Sequence, residues 1–149
     1  MGIAVHVQYA TRSRHLPTPG KIESWVRMAL KGKRNSAEIT VRIVGNRESR
    51  SLNSTWRHLD RPTNVLSFPL SGMDRRSEVL NGDIVVCAPV VNREARTQGK
   101  TAEAHWAHLV VHGTLHLIGY DHDNDADAEI MEAAETRMLR AMGFGNPYA

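Results

Sequence analysis

The sequence contains a single cysteine, Cys87, in 149 residues. One thiol cannot form an intramolecular disulfide, which excludes a disulfide-stabilised secreted fold and favours a reducing compartment. No apolar run approaches the length of about 18 residues that a membrane-spanning helix needs. The N-terminal residues lack the basic flank and apolar block of a signal peptide, and His6 stands where a myristoylation site needs Ser or Thr. We therefore expect a cytoplasmic protein.

Acidic residues are scarce in the first two thirds of the chain, and basic residues are scarce in the last third. Residues 1–100 contain 17 Lys and Arg against 8 Asp and Glu, whereas residues 101–149 contain 2 against 8. A basic body joined to an acidic C-terminal part suggests that the first part binds a polyanion. The alternative is that both are ordinary solvated surfaces, and charge alone does not decide between them.

The hydrophobic periodicity predicts strands interleaved with helices. Alternating apolar residues indicate strands at 3–9, 39–43, 64–70 and 83–88. Helical spacing and capping signals indicate helices at 22–30, at 46–59 with Asn46 as a cap, from Pro89 to near Gly99, from Thr101 to Gly119, and at 125–142, where Ile130, Ala134, Met138 and Met142 follow i+4 spacing. This order predicts one α/β or α+β domain over residues 1–149 with a small mixed β-sheet.

Residues 108–122, HLVVHGTLHLIGYDH, hold four of the eight histidines. On a helix, His112 and His116 lie one turn apart on the same face. Gly119 can end that helix in a left-handed turn, which allows His122 to approach the other two rings. Three protein nitrogens with one open position are typical of catalytic zinc sites, although nickel, cobalt and copper are chemically possible.

A glutamate normally follows the first histidine in zinc proteases of the HExxH type, where it acts as the general base. Here that position is Gly113, so peptide hydrolysis by the usual route is not expected. Candidates to assist proton transfer are Asp121, Asn64 and His108. His105 and His108 lie further back on the same helical face and are interpreted as neighbours of the ligands or surface residues.

The acidic run after the histidines also matches part of an EF-hand calcium loop. Asp121, Asp123, Asp125 and Glu132 occupy its positions 1, 3, 5 and 12, but Ala126 stands where the loop needs glycine. Stabilisation of the N-terminus of the last helix is the favoured interpretation of these charges.

Residues 112–122, HGTLHLIGYDH, closely resemble the HGxLHLxGYDH motif of the YbeY family of bacterial metal-dependent endoribonucleases. LNSTWRHLDRPTNVLSFP at 52–69, NGDIVVC at 81–87 and the tail EAAETRMLRAMGF are similar to other conserved blocks of that family. The resemblance covers most of the chain. Trp56 stands where the family often has Tyr, and Asn64 where many members have Asp.

The resemblance implies a single-domain α/β protein with one zinc ion held by His112, His116 and His122. It further implies hydrolysis of single-stranded RNA, maturation of ribosomal RNA at the 3′ end of the small-subunit RNA, and ribosome quality control. The expected partners are therefore RNA and the small ribosomal subunit or its assembly factors, with neither DNA nor a membrane expected. The family's functional arginine corresponds to Arg57.

Arg57 suits such a role because its guanidinium is permanently charged and can grip a phosphate, although it cannot act as a general base. Basic residues that could follow the RNA backbone are Arg50, Arg61, Arg75 and Arg76. Trp56 and Phe68 could stack a base, but their apolar patterns favour core packing. Cys87 lies in an apolar strand and is expected to be buried.

Two alternatives to a zinc-dependent endoribonuclease stay open on the sequence. The protein could be a non-catalytic ribosome-assembly factor in which zinc stabilises the fold and the basic surface binds ribosomal RNA. It could also be a metallohydrolase of another substrate, such as a peptide or a small ester. The open coordination position favours catalysis, because structural zinc sites usually have four protein ligands.

Overall fold

The computed structural model describes residues 2–70 and 79–149. In these residues four strands and five helices follow one another along the chain: β1 (Ile3–Ala10), α1 (Pro19–Leu30), β2 (Ser36–Val44), α2 (Asn46–Arg57), β3 (Val65–Pro69), β4 (Val79–Cys87), α3 (Ala88–Thr97), α4 (Ala102–Leu117) and α5 (Asp125–Ala141). None of these helices combines the length and the apolar character needed to cross a membrane.

The strands form one sheet in the order β1-β2-β4-β3. β1 pairs with β2 and β2 with β4 in parallel, whereas β3 pairs with β4 in an antiparallel register in which Ser67 lies opposite Ile84. The predicted mixed α/β sheet is confirmed. Among the described strands, β3 lies at one edge of the sheet, where α4 packs against it.

The two faces of the sheet carry separate hydrophobic clusters, because successive side chains of a strand point to opposite faces. Val65, Ile84 and Val86 face the main core, which contains α1, α4 and α5. Leu66, Val85 and Cys87 face a smaller cluster, against which Leu52 of α2 packs. α4 is apolar nearly all round because it lies between the sheet and the other helices.

Several local predictions are confirmed. The Thr101 side chain accepts a hydrogen bond from the Ala104 amide and begins α4. Cys87 is 1% exposed, as expected for a buried thiol. The last helix begins at Asp125, and Asp125 and Asp127 lie in its first turn, where the helix dipole favours negative charge.

Other local predictions are wrong. Asn46 is not the cap of α2: Gly45 occupies that position, and the Asn46 side chain accepts a hydrogen bond from the Cys87 thiol at 3.5 Å. Ala134 and Met138 of the i+4 series on α5 are buried, but Ile130 is 61% exposed, because the buried face of the helix begins at Met131. Trp56, expected in the core, is 65% exposed because it lies in the last turn of α2.

Candidate metal centre

Three imidazole rings converge at the C-terminal end of α4. His112 and His116 project from one face of the helix with their Nε2 atoms 3.1 Å apart. Gly119 has a φ of +102°, which turns the chain after the helix and brings the His122 ring to centroid distances of 5.7 Å from His112 and 5.0 Å from His116. One nitrogen of each ring lies within 4.8 Å of the others.

This donor set fits a divalent transition-metal ion. Two nitrogens that each bind zinc at 2.0–2.1 Å in tetrahedral geometry are separated by about 3.3 Å, close to the spacing of the His112 and His116 nitrogens. Burial, together with repulsion from the imidazoles of His112 and His122, lowers the pKa of His116 to about 4. The His116 ring is therefore neutral at neutral pH, and its lone pair is available to a cation.

A buried carboxylate orients the first of these rings. Glu135 of α5 is fully buried, and its Oε1 is hydrogen-bonded to the Nδ1 atom of His112. Its Oε2 accepts a hydrogen bond from the Tyr148 hydroxyl and lies 3.5 Å from the Nε2 atom of His108. Burial opposes ionisation of Glu135, but hydrogen bonds from His108, His112 and Tyr148 outweigh it and lower the pKa to about 2.

An ionised carboxylate can only accept hydrogen bonds, so the Nδ1 atom of His112 must carry the proton. In the neutral ring, the Nε2 atom of His112, on the side of His116, is then the nitrogen without a proton, which is the tautomer that binds a metal. Sequence reasoning missed both Glu135 and Tyr148. The available signal was a charged residue on the buried face of α5, beside Met131 and Ala134.

His105 and His108 lie behind the cluster, and both are buried. The Nε2 atom of His105 is 3.0 Å from a carboxylate oxygen of Glu94, and that of His108 is 3.2 Å from the Tyr148 hydroxyl. Although His108, His112 and Glu135 also bring three potential ligand atoms within 4.8 Å, these atoms already contact one another or Tyr148. The two histidines therefore support the site from behind and are not surface residues.

A cavity of about 310 Å³ opens in front of the three rings. It is lined by His112, His116, His122, Arg57, Asn64, Val65, Ser67 and Pro69. Arg57 ends α2 and makes no ion pair with any residue in 2–70 or 79–149. The structure thus brings Arg57, predicted from the sequence, to the same cavity as the three histidines.

Asn64 is one candidate for assisting proton transfer, and both the nitrogen and the oxygen of its side-chain amide are already hydrogen-bonded. Its Nδ2 donates to Glu94 at 3.2 Å, and its Oδ1 accepts from the Val65 amide at 2.7 Å. The other two candidates line neighbouring depressions: Asp121 lies with Tyr120, and His108 lies with Glu94. Among the described residues, no carboxylate lines the cavity itself.

The absence of a glutamate after His112 has a packing reason. A Cβ on Gly113 would lie 2.9 Å from the Ile84 Cγ2 atom and 3.1 Å from the Val65 Cγ2 atom. The Ser67 hydroxyl also donates to the Gly113 carbonyl at 2.8 Å, which holds α4 against β3. The close approach that places the histidines beside the edge strand therefore disfavours any side chain at this position.

The other arginines differ in their surroundings. Arg50 is bound by both carboxylate oxygens of Asp60, at 2.7 and 3.0 Å, so its charge is already paired. Arg61 is exposed and has no ion pair in the part of the chain that the structure describes. Arg75 and Arg76 lie outside the described residues.

The acidic run does not form the loop of an EF-hand. Asn124 caps α5 through a hydrogen bond from the Asp127 amide, at 2.8 Å, so Asp125 and Glu132 lie on a continuous helix. Within residues 2–70 and 79–149, these carboxylates do not converge on a common point.

Comparison with known proteins agrees with this geometry. The family model described as Endoribonuclease YbeY matches residues 8–143. The solution structure of TM1509 from Thermotoga maritima is 27% identical in sequence and superimposes with a TM-score of 0.62, covering 90% of this chain and 87% of that chain. The match to the family model spans nearly the whole chain, including the three histidines and Arg57. The chain therefore belongs to the YbeY endoribonuclease family.

Proposed function

We propose that the protein is a zinc-dependent endoribonuclease that cleaves single-stranded RNA in the maturation of the 3′ end of small-subunit ribosomal RNA and in ribosome quality control. The proposal takes residues 1–149 as one domain that acts in the cytoplasm on the small ribosomal subunit or its assembly intermediates. The observation that carries it is the convergence, on one cavity, of three histidine nitrogens and an arginine that has no ion pair among the described residues. Membership of an endoribonuclease family supports RNA rather than DNA as the substrate.

In this proposal His112, His116 and His122 hold the ion, and Glu135 fixes the orientation of the first ring. When bound, the ion supplies a Lewis acid that acidifies water and withdraws charge from a phosphate oxygen. Arg57 donates hydrogen bonds to the phosphate and stabilises the additional negative charge of the transition state. The pairing of Arg50 with Asp60 makes it a weaker candidate for an RNA contact than Arg61, which has no ion pair with any residue in 2–70 or 79–149.

The experiment uses an RNA with a hairpin and a single-stranded tail, incubated with the zinc-loaded protein. Wild type should cut the tail, and a chelator should stop cleavage. His116→Ala should be inactive, and Arg57→Ala should lose about 10²- to 10³-fold in rate, the usual cost of removing one group that stabilises transition-state charge. His6→Ala is the matched control, because His6 is exposed on β1 at the opposite edge of the sheet from β3.

Equal cleavage by wild type and His116→Ala would contradict the proposal. Absence of cleavage by a wild type that retains zinc and binds RNA would instead support a non-catalytic assembly factor. A hydrolase of peptides is disfavoured by the packing at Gly113, which leaves no room for the glutamate base of that reaction.

A further inference from the structure

One of the three tryptophans is exposed beside the candidate site. Trp25 and Trp106 belong to the core, with 3% and 1% exposure, whereas Trp56 is 65% exposed. Large aromatic side chains gain the most from burial, so a mostly solvated tryptophan loses much of that gain. Trp56 therefore offers a large aromatic surface that the fold leaves without a covering residue among those described.

Two features link Trp56 to the cavity, namely its place in the chain and its contact with Phe68. It immediately precedes Arg57, which lines the cavity. Its ring also meets the Phe68 ring edge to face, with centroids 5.9 Å apart. Phe68 lies in the edge strand β3 between Ser67 and Pro69, which both line the cavity.

The contact with Phe68 supports the Trp56 ring without covering it. Phe68 packs against the small hydrophobic cluster on the α2 side of the sheet, which anchors it. In an edge-to-face contact, one ring presents only its edge to the other, which leaves aromatic surface available for a further planar partner. The contact with Phe68 thus holds the Trp56 ring beside the edge strand β3.

We propose that Trp56 is a stacking platform for an unpaired base of the same RNA strand whose phosphate binds at Arg57. This inference rests on the proposed function, and it adds a binding site for a nucleobase to a site that otherwise contacts phosphate. In a nucleotide, a planar base lies close to a phosphate. The aromatic ring of Trp56 can stack on the base, and the permanent charge of Arg57 can bind the phosphate. Stacking requires a base that is free of its own stacking neighbours, so the platform favours single-stranded over duplex RNA.

The test combines two substitutions with a fluorescence readout. Trp56→Leu keeps an apolar side chain with good helix propensity but removes the aromatic face, whereas Trp56→Tyr keeps an aromatic face. Stacking contributes about 1–3 kcal/mol per base, so Trp56→Leu should weaken binding of a short 2′-O-methyl oligouridylate by about 5- to 150-fold. Trp56→Tyr should bind within a few fold of wild type.

Fluorescence reports the contact directly, because the other two tryptophans are buried. The oligouridylate should quench the emission of the zinc-loaded wild type, a blunt duplex RNA should not, and Trp56→Leu should lose the quenching. With a cleavable RNA, Trp56→Leu should raise KM while leaving kcat at saturation close to wild type. Unchanged thermal unfolding of both variants checks that the exposed position tolerates the substitutions.

Outcomes that overturn the inference are distinct from those that overturn the proposed function. If wild type cleaves RNA but Trp56→Leu binds the oligouridylate as tightly, the platform is wrong and the nuclease stands. The same conclusion follows if single-stranded and duplex RNA quench equally, or if Trp56→Tyr loses as much affinity as Trp56→Leu. If wild type neither binds nor cleaves RNA, both proposals are wrong, and the exposed ring is better explained as a contact for a protein partner.

Discussion

The hydrogen bond between Glu135 and His112 gives a quantitative prediction for metal affinity. In Glu135→Gln the side chain keeps its shape and can still present an oxygen to the Nδ1 atom of His112, but it loses its charge. Hydrogen bonds to charged groups contribute about 1.5–3 kcal/mol and neutral ones about 0.5–1.5 kcal/mol. The difference of roughly 1–2 kcal/mol corresponds to an increase of about 5- to 30-fold in the Kd for zinc.

The assay is competition for zinc between the protein and a chromophoric chelator at neutral pH. The matched control is Glu94→Gln, because Glu94 also contacts a histidine, His105 at 3.0 Å, but none of the three rings of the cluster. Glu94→Gln should bind zinc like wild type. The reasoning would be refuted if Glu135→Gln bound zinc within twofold of wild type, or if both variants lost affinity equally.

Three further predictions address packing, pH and RNA contacts. Gly113→Ala should destabilise the protein by about 1–3 kcal/mol, measured by urea unfolding, because its Cβ would press against Ile84; a neutral result would contradict the close packing of α4 on the sheet. The metal-free protein should lose stability as the pH falls from about 6.5 toward about 4, because the pKa of His116 is lowered to about 4 in the folded state and the unfolded chain takes up the proton first. Urea unfolding across this range should show a shallower decline for His116→Ala, and an equally steep decline would contradict the assignment. Arg61→Ala should reduce the slope of log K for RNA binding against log salt concentration by about one unit. Arg50→Ala should reduce this slope less, because the charge of Arg50 is already paired with Asp60. A larger effect of Arg50→Ala in a salt titration would exclude Arg61 as the phosphate contact.

The parts of the fold that sequence periodicity predicted are those with one buried face. β1, β2 and α1 each present a regular apolar stripe to the core. The spacing of their apolar residues was therefore sufficient to predict them as strands or a helix. β4 begins earlier than predicted, at Val79, because Asn81 and Gly82 are poor strand formers that are held by pairing with β2 and β3. That pairing is non-local, and a pattern within one segment cannot indicate it.

The candidate site shows the same limit. The approach of His112, His116 and His122 was predictable, because helix geometry and a helix-ending glycine fix their relative positions locally. Glu135 is hydrogen-bonded to His112, which lies 23 positions earlier, and to Tyr148, which lies 13 positions later. A pattern within one short segment of the sequence cannot indicate such contacts. Trp56 was misassigned because a hydrophobic residue at helical spacing does not reveal that the helix ends beside an edge strand.

The hydroxyl of Tyr148 has a practical consequence for producing the protein. It is bound to the buried carboxylate of Glu135, and the preceding Pro147 accepts a hydrogen bond from Lys100 through its carbonyl oxygen. These two contacts hold Pro147 and Tyr148 beside the carboxylate that orients His112. A polyhistidine tag fused on the C-terminal side of Tyr148 would therefore bring competing imidazoles close to the metal centre. A tag placed on the N-terminal side of β1, at the opposite edge of the sheet from β3, would keep its imidazoles away from the metal centre.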